Sequence, residues 1–268
     1  MTGTHRRAAV IGQLLGYVRT WLAAWAEAWS NRRSFWLQVA VMVVNDLVWI
    51  GFWVLFFRQI GQLRGWDIEA VLILWAVLTT SGGIVLGLFA NSRSIASLVS
   101  SGGIDEALIL PTATLPHLLL RRVETSNVGD VVFGISLFLI AGDPTPQRLA
   151  IFGFGVMCSA LILVGFIVAV GSTSFFFGRS DAGDLGFQAL LLTSSYPIDI
   201  FGSTTRVLLY TVLPAGFVSS APARLLTEFN GRWAAGLAGV AILVFAAGWA
   251  TFTLGLRRYT SGAAWVEA

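Results

Sequence analysis

The length of the apolar runs decides what this chain can become. Residues 35–57, 70–90, 149–176 and 233–256 are almost free of charge. Each is long enough, as a helix, to cross a hydrocarbon layer of ~30 Å. Further apolar segments at 126–140, 185–200 and 207–218 are shorter, and the last two are interrupted by Pro197 and Pro214. Of the 268 residues, 12% are charged and 56% hydrophobic, and the mean hydropathy is +0.78. Soluble domains carry roughly 25% charged residues, and a soluble fold of this size could not bury so much apolar surface. The runs predict an all-α, multi-pass membrane protein in which residues 1–268 form one transmembrane domain.

Charge narrows the function classes. The formal net charge is +3, and every basic residue is an arginine. A Walker A loop needs its lysine, so no nucleotide site of that kind and no cofactor are expected in this chain. The arginines are spread over the segments that flank the apolar runs, which argues against nucleic acid as a partner. A single cysteine, Cys158, lies inside an apolar run and allows neither a disulfide framework nor a cysteine metal site. His5 and His117 are far apart, and neither G-x-S-x-G nor H-E-x-x-H occurs. The chain is not expected to be an enzyme.

Residues 1–9 are polar and basic, without the apolar core of a signal peptide. In residues 11–29, Ile11, Leu14, Leu15, Val18, Trp21, Leu22, Trp25 and Trp29 recur at spacings of three, four and seven. They predict an amphipathic helix whose tryptophans suit the membrane interface. The first long apolar run has Asn45 and Asp46 at its midpoint, with Trp49 and Trp53 one and two turns on. An ionisable residue at that depth is costly and faces protein or a water-filled cavity. It reads either as a hydrogen bond that fixes two helices or as part of a transport pathway. Gly83 and Gly87 in the second run have the small-xxx-small spacing of close helix packing. The 126–140 run is short, so its helix is expected to begin earlier, with Asp130 near its cytoplasmic end.

Between the second and third runs lies a polar island, residues 92–124. It holds Asp105 and Glu106, two prolines (Pro111, Pro116) and a basic pair (Arg121, Arg122). Residues 100–103 read as a flexible break and residues 104–110 as a short helix stopped by Pro111. Asp105 and Glu106 in its first turn suit the helix dipole. The island is expected to meet a soluble partner. Arginine placement sets the orientation. With the N-terminus cytoplasmic and 207–218 re-entering, the cytoplasmic side holds Arg6, Arg7, Arg19, Arg32, Arg33, Arg93, Arg121, Arg122, Arg179, Arg257 and Arg258. The opposite side holds only Arg58, Arg64, Arg148, Arg206, Arg224 and Arg232. Charge therefore favours a cytoplasmic N-terminus and leaves six and seven crossings equally open.

Gly103, Asp105, Leu108 and Pro111 form a G-x-D-x-x-L-x-x-P pattern in the island. Further on come Tyr196-Pro197, Ile200-Phe201, Pro214, Phe217-Val218 and Pro222-Ala223. With the order of spans, these resemble the permease subunits of ABC-2 type ATP-binding-cassette transporters, in the branch of small six-helix permeases similar to bacterial viologen and drug exporters. Leu110 departs from the basic residue common there. The resemblance implies six crossings with both termini cytoplasmic in a bacterial plasma membrane. It also implies an interfacial helix over 11–29, a cytoplasmic coupling loop over 92–124 and an extracellular re-entrant hairpin over 197–225. Asp105, Glu106, Leu108 and Pro111 would couple to a separate ATPase that binds ATP and magnesium, and a second permease chain would complete the transporter. Asn45, Asp46, Trp49 and Trp53 would line the translocation pathway. A rival reading is an ion- or proton-coupled secondary transporter with Asp46 and Asp130 as proton sites. Such folds often show internal repeats, and none is visible here.

Overall fold

The computed structural model describes residues 3–178 and 182–259; Arg179, used above in assigning orientation, lies outside them. Every regular element among the described residues is helical. Helix α1 (Gly3–Ser30) is separated from α2 (Arg32–Ile60) only by Asn31, whose side chain accepts the Ser34 amide at 3.1 Å and caps α2. Asp67 caps α3 (Ile68–Leu88) in the same way through the Ala70 amide. The island contains a 3₁₀ turn at Ala90–Ser94, then α4 (Ile95–Ser100), α5 (Asp105–Leu108) and α6 (Thr114–Leu120). A second 3₁₀ turn, Thr125–Asn127, leads into α7 (Val128–Ala141). Thr145 caps α8 (Pro146–Gly171), with Pro146 in its first turn. There follow α9 (Ser174–Phe177), α10 (Ala182–Ser194), a 3₁₀ turn at Ile198–Ile200 and α11 (Ser203–Thr211). A π-helical turn (Gly216–Ser220) runs into α12 (Ala221–Thr227), and α13 (Gly231–Leu256) ends the described fold.

Four helical stretches are long and apolar enough to cross a membrane: α2, α3, α8 with α9, and α13. α6 and α7 together would make a fifth span, bent by 76°. α10 has 13 residues, a rise of ~20 Å, and does not span ~30 Å unaided. The centre of the bundle is α3. In its apolar window 78% of residues are buried, against 17% for α2 and 22% for α13. α7 and α8 both pack on α3; α2 packs mainly on α7, and α13 on α8.

Missing side chains allow these contacts. A Cβ on Gly83 would lie 2.8 Å from the Asn127 carbonyl and the Val131 amide, so the small-xxx-small motif seats the start of α7. Gly134 of α7 lies against Thr79 and Thr80, and Gly129 against the Val39 carbonyl of α2. Between α8 and α13, Gly165 faces Val244 and Phe245, while Gly248 faces the Gly165 carbonyl.

One sequence expectation is corrected. The third span does not run straight back into the island. The Glu124 amide donates to the Gly87 carbonyl at 2.9 Å, at the end of α3, and the chain turns there instead of continuing the helix. Asp130 lies in the first turn of α7, near the start of the third span as expected, and faces Asp46, in the middle of α2. Pro222, Ala223, Leu225 and Leu226 of α12 are buried against α3 and α8.

Gly165→Val should therefore lower the stability of the detergent-solubilised chain by about 1–3 kcal/mol, the range for overpacking a core. Thermal melting followed by circular dichroism measures it, and Gly236→Val, where nothing lies within 4 Å, is the matched control.

Candidate functional site

The island presents an apolar tip on an anchored base. Ile104 and Ala107 are buried and hold α5 down, while Leu108, Ile109, Leu110 and Pro111 all face outward. Ile109 is 84% exposed and Leu108 45%. Four successive exposed apolar residues thus stand on a loop that also carries charges. Asp105 is half-buried, and its amide donates to the Gly102 carbonyl at 3.0 Å. Glu106 is exposed and pairs with Arg121 at 2.8 Å. An exposed pair of this kind contributes ~0–1 kcal/mol, so Glu106 stays available to exchange partners.

Helix α1 buttresses the same loop, which the sequence pattern did not reveal. The Ala113 amide donates to the Tyr17 hydroxyl at 2.8 Å, and Gln13 Nε2 donates to the Pro111 carbonyl at 3.3 Å. Gly16 lies against the Thr112 methyl. The helix thus has two uses: Gly16, Tyr17 and Ala24 turn to protein, and Leu14, Leu15, Val18 and Leu22 stay exposed. A mixed-charge cavity of about 700 Å³ lies between the end of α1, the start of α2 and the island. Glu27, Gln38, Glu106, Arg121 and Glu124 are in its wall.

The residues singled out on α2 divide by face. Asp46 and Trp53 are buried inside the chain, Trp49 is half-buried, and Asn45 is exposed. Trp49 stacks on Trp75 of α3 at 5.6 Å, and Trp53 meets Tyr196 edge-on at 5.7 Å. The aromatic column on α2 therefore touches the Tyr196-Pro197 motif, which sequence distance alone does not reveal. Beyond Tyr196, Asp199 gathers a charged hub: its carboxylate pairs with Arg206 and Arg224 and accepts from Trp66 Nε1. Arg64 donates to the carbonyls of Asp199 and Phe201. These residues come from the α2–α3 loop, the 3₁₀ turn, α11 and α12, and no local spacing marked them.

The backbone between α10 and α13 is irregular yet satisfied by side chains. Ser159 of α8 donates to the Val218 carbonyl at 2.6 Å, Ser219 donates to the Ser194 carbonyl, and Ser220 accepts the Ile198 amide at 3.1 Å. Such backbone is tolerated at membrane depth only where protein surrounds it.

The fold and these surfaces define a multi-pass helical membrane protein with a buttressed polar loop after α3. Residues 42–263 match the family model described as ABC-2 family transporter protein, and the chain belongs to that family. It is accordingly a membrane component of an ABC transporter, a permease and not the catalytic subunit, and the family implies ATPase partners. No curated protein and no solved structure matches the chain.

Tyr17→Phe should loosen the island without unfolding the spans. Loss of one net hydrogen bond, ~0.5–1.5 kcal/mol, corresponds to a roughly three- to tenfold faster hydrogen exchange at the Ala113 amide. Exchange mass spectrometry reads this, with peptides from α3 unchanged.

Proposed function

We propose that this chain is the permease subunit of an ATP-driven exporter, coupled to separate ATPase chains through residues 105–111. The observation that carries the reading is the exposed apolar run Leu108–Pro111 on a base fixed by Ile104, Ala107, Tyr17 and Gln13. In a family whose members work with ATPases, that run is the docking element. Leu108 fills an apolar pocket on the ATPase, Asp105 and Glu106 lie at the polar rim of the contact, and Pro111 ends the element. ATP and magnesium bind in the partner. Hydrolysis there displaces the loop, and α1 and α6 carry the displacement to α2 and α7.

The membrane arrangement has six crossings, with both termini cytoplasmic in a bacterial plasma membrane. They are α2, α3, the bent α6–α7 pair, α8 with α9, α10 extended by its following turn, and α13. α1 lies at the cytoplasmic interface with Leu14, Leu15, Val18 and Leu22 in lipid. Residues 197–225 re-enter from outside, and the serine contacts of Ser159, Ser219 and Ser220 support that reading. A second permease chain, identical or similar, faces this one across the pathway. The pathway includes the α2 face of Asn45 and Trp49, with Asp46 and Trp53 behind it and reached when the helices part.

Leu108→Asp should break coupling. Putting a charge into a central apolar contact costs on the order of 2 kcal/mol or more, so transport by the reconstituted complex falls by at least about tenfold. The melting temperature of the permease stays at the wild-type value, because Leu108 is exposed. Transport at the wild-type rate would remove residues 105–111 from the coupling role.

A further inference from the structure

Asp46 and Asp130 are the buried ionisable pair that the coupling mechanism leaves unused. Asp46 sits in the middle of α2 at 3% exposure, and Asp130 in the first turn of α7 at 6%. Gly129, next to Asp130, lies against the Val39 carbonyl and Met42 of α2, one turn before Asp46, so the two carboxyls face each other where α2 and α7 pack. Oδ2 of Asp46 and Oδ1 of Asp130 are fully enclosed and have no other partner. Thr80 of α3, which lies against Gly134 one turn along α7, likewise has a buried hydroxyl without a partner.

No cation offsets the pair. On α2 the nearest basic residues are Arg33 and Arg58, more than three turns away in either direction. α7 carries no other ionisable side chain, and α3 has only Glu69 in its first turn. The 3₁₀ turn Thr125–Asn127, which packs on both α2 and α7, has none. Glu27 of α1 lies beside Phe35 and Gln38 at the start of α2, more than two turns before Asp46.

The surroundings tolerate one negative charge and not two. The amides at the start of α7 favour an anion at Asp130. Two adjacent carboxylates in an apolar, cation-free space repel one another, and a hydrogen bond between two carboxyls needs a proton on one of them. We propose that Asp46 and Asp130 form a proton-binding site inside the membrane domain, one proton held between the two carboxyls. The proton ties α2 to α7, so a transport step that parts these helices has to break this bond and expose the site. The inference does not depend on the ATPase partner, and its test is independent of coupling.

The test is infrared spectroscopy of the full transporter in lipid nanodiscs, grown with aspartate carrying ¹³C at the side-chain carboxyl. Near neutral pH the wild type should show an isotope-shifted C=O stretch of a protonated carboxylic acid, about one per permease. Asp46→Asn and Asp130→Asn should each abolish it. The double variant Asp46→Glu, Asp130→Glu guards against a folding defect in the amides. It keeps the acid band but moves it out of the labelled set. A wild type with no such band has both carboxyls ionised, and that overturns the proposal. So does a labelled band that survives both amide substitutions, or one that vanishes when sodium replaces choline in the buffer, which would make the site one for an alkali cation.

Discussion

Inside a membrane each backbone amide and carbonyl must find its partner within the protein, and the rest of this structure follows from how that is met. α2, α3, α8 and α13 meet it as continuous helices. Where the chain breaks, the partners are specific. At the head of α7 the Glu124 amide closes on the end of α3. Between α10 and α13, Ser159, Ser219 and Ser220 engage the irregular backbone around the π turn. Breaks occur where side-chain hydroxyls or a free helix end are at hand, so the functional irregularities are placed by hydrogen-bond supply.

Hydrogen bonds fix the elements, and glycine sets their spacing. α3 can lie at the centre because Gly83 and Gly134 let α7 approach closely, and Gly165 and Gly248 do the same between α8 and α13. That packing leaves α2 and α13 at the edges with long apolar faces, including Leu47, Val48, Ile242 and Leu243, suited to lipid or to a second permease. It also brings two carboxyls together. At ~4 Å and an effective dielectric of ~20, two unit charges repel by about 4 kcal/mol. A pair kept in a core that glycines hold close therefore has a protonation requirement that an open loop would not impose.

Much of this was legible in the sequence. Long apolar runs gave the four full spans within a few residues, and the Gly83–Gly87 spacing gave a real packing contact. The pattern from Gly103 to Pro111 marked a segment that is indeed a short helix with an exposed apolar tip. What stayed hidden has physical causes. The amphipathic pattern of α1 could not show that Tyr17 and Gln13 hold the island, because those bonds join residues almost a hundred positions apart. The burial of α12 stayed hidden because Arg224 and Thr227 interrupt the apolar face of Pro222, Ala223, Leu225 and Leu226. The meeting of Asp46 with Asp130, and of Asp199 with three arginines, arises from tertiary packing that no local period encodes.

We propose the apolar tip of the island as the contact through which a separate ATPase drives this permease. A photo-crosslinking amino acid at Ile109, activated in native membranes and followed by mass spectrometry, tests it most directly. One dominant adduct is expected, with a soluble chain that carries a Walker A loop, while the same probe at Ile242, exposed on α13, captures lipid or a permease. If Ile109 yields only lipid adducts, or no ATPase under conditions where the transporter is active, the docking assignment is contradicted.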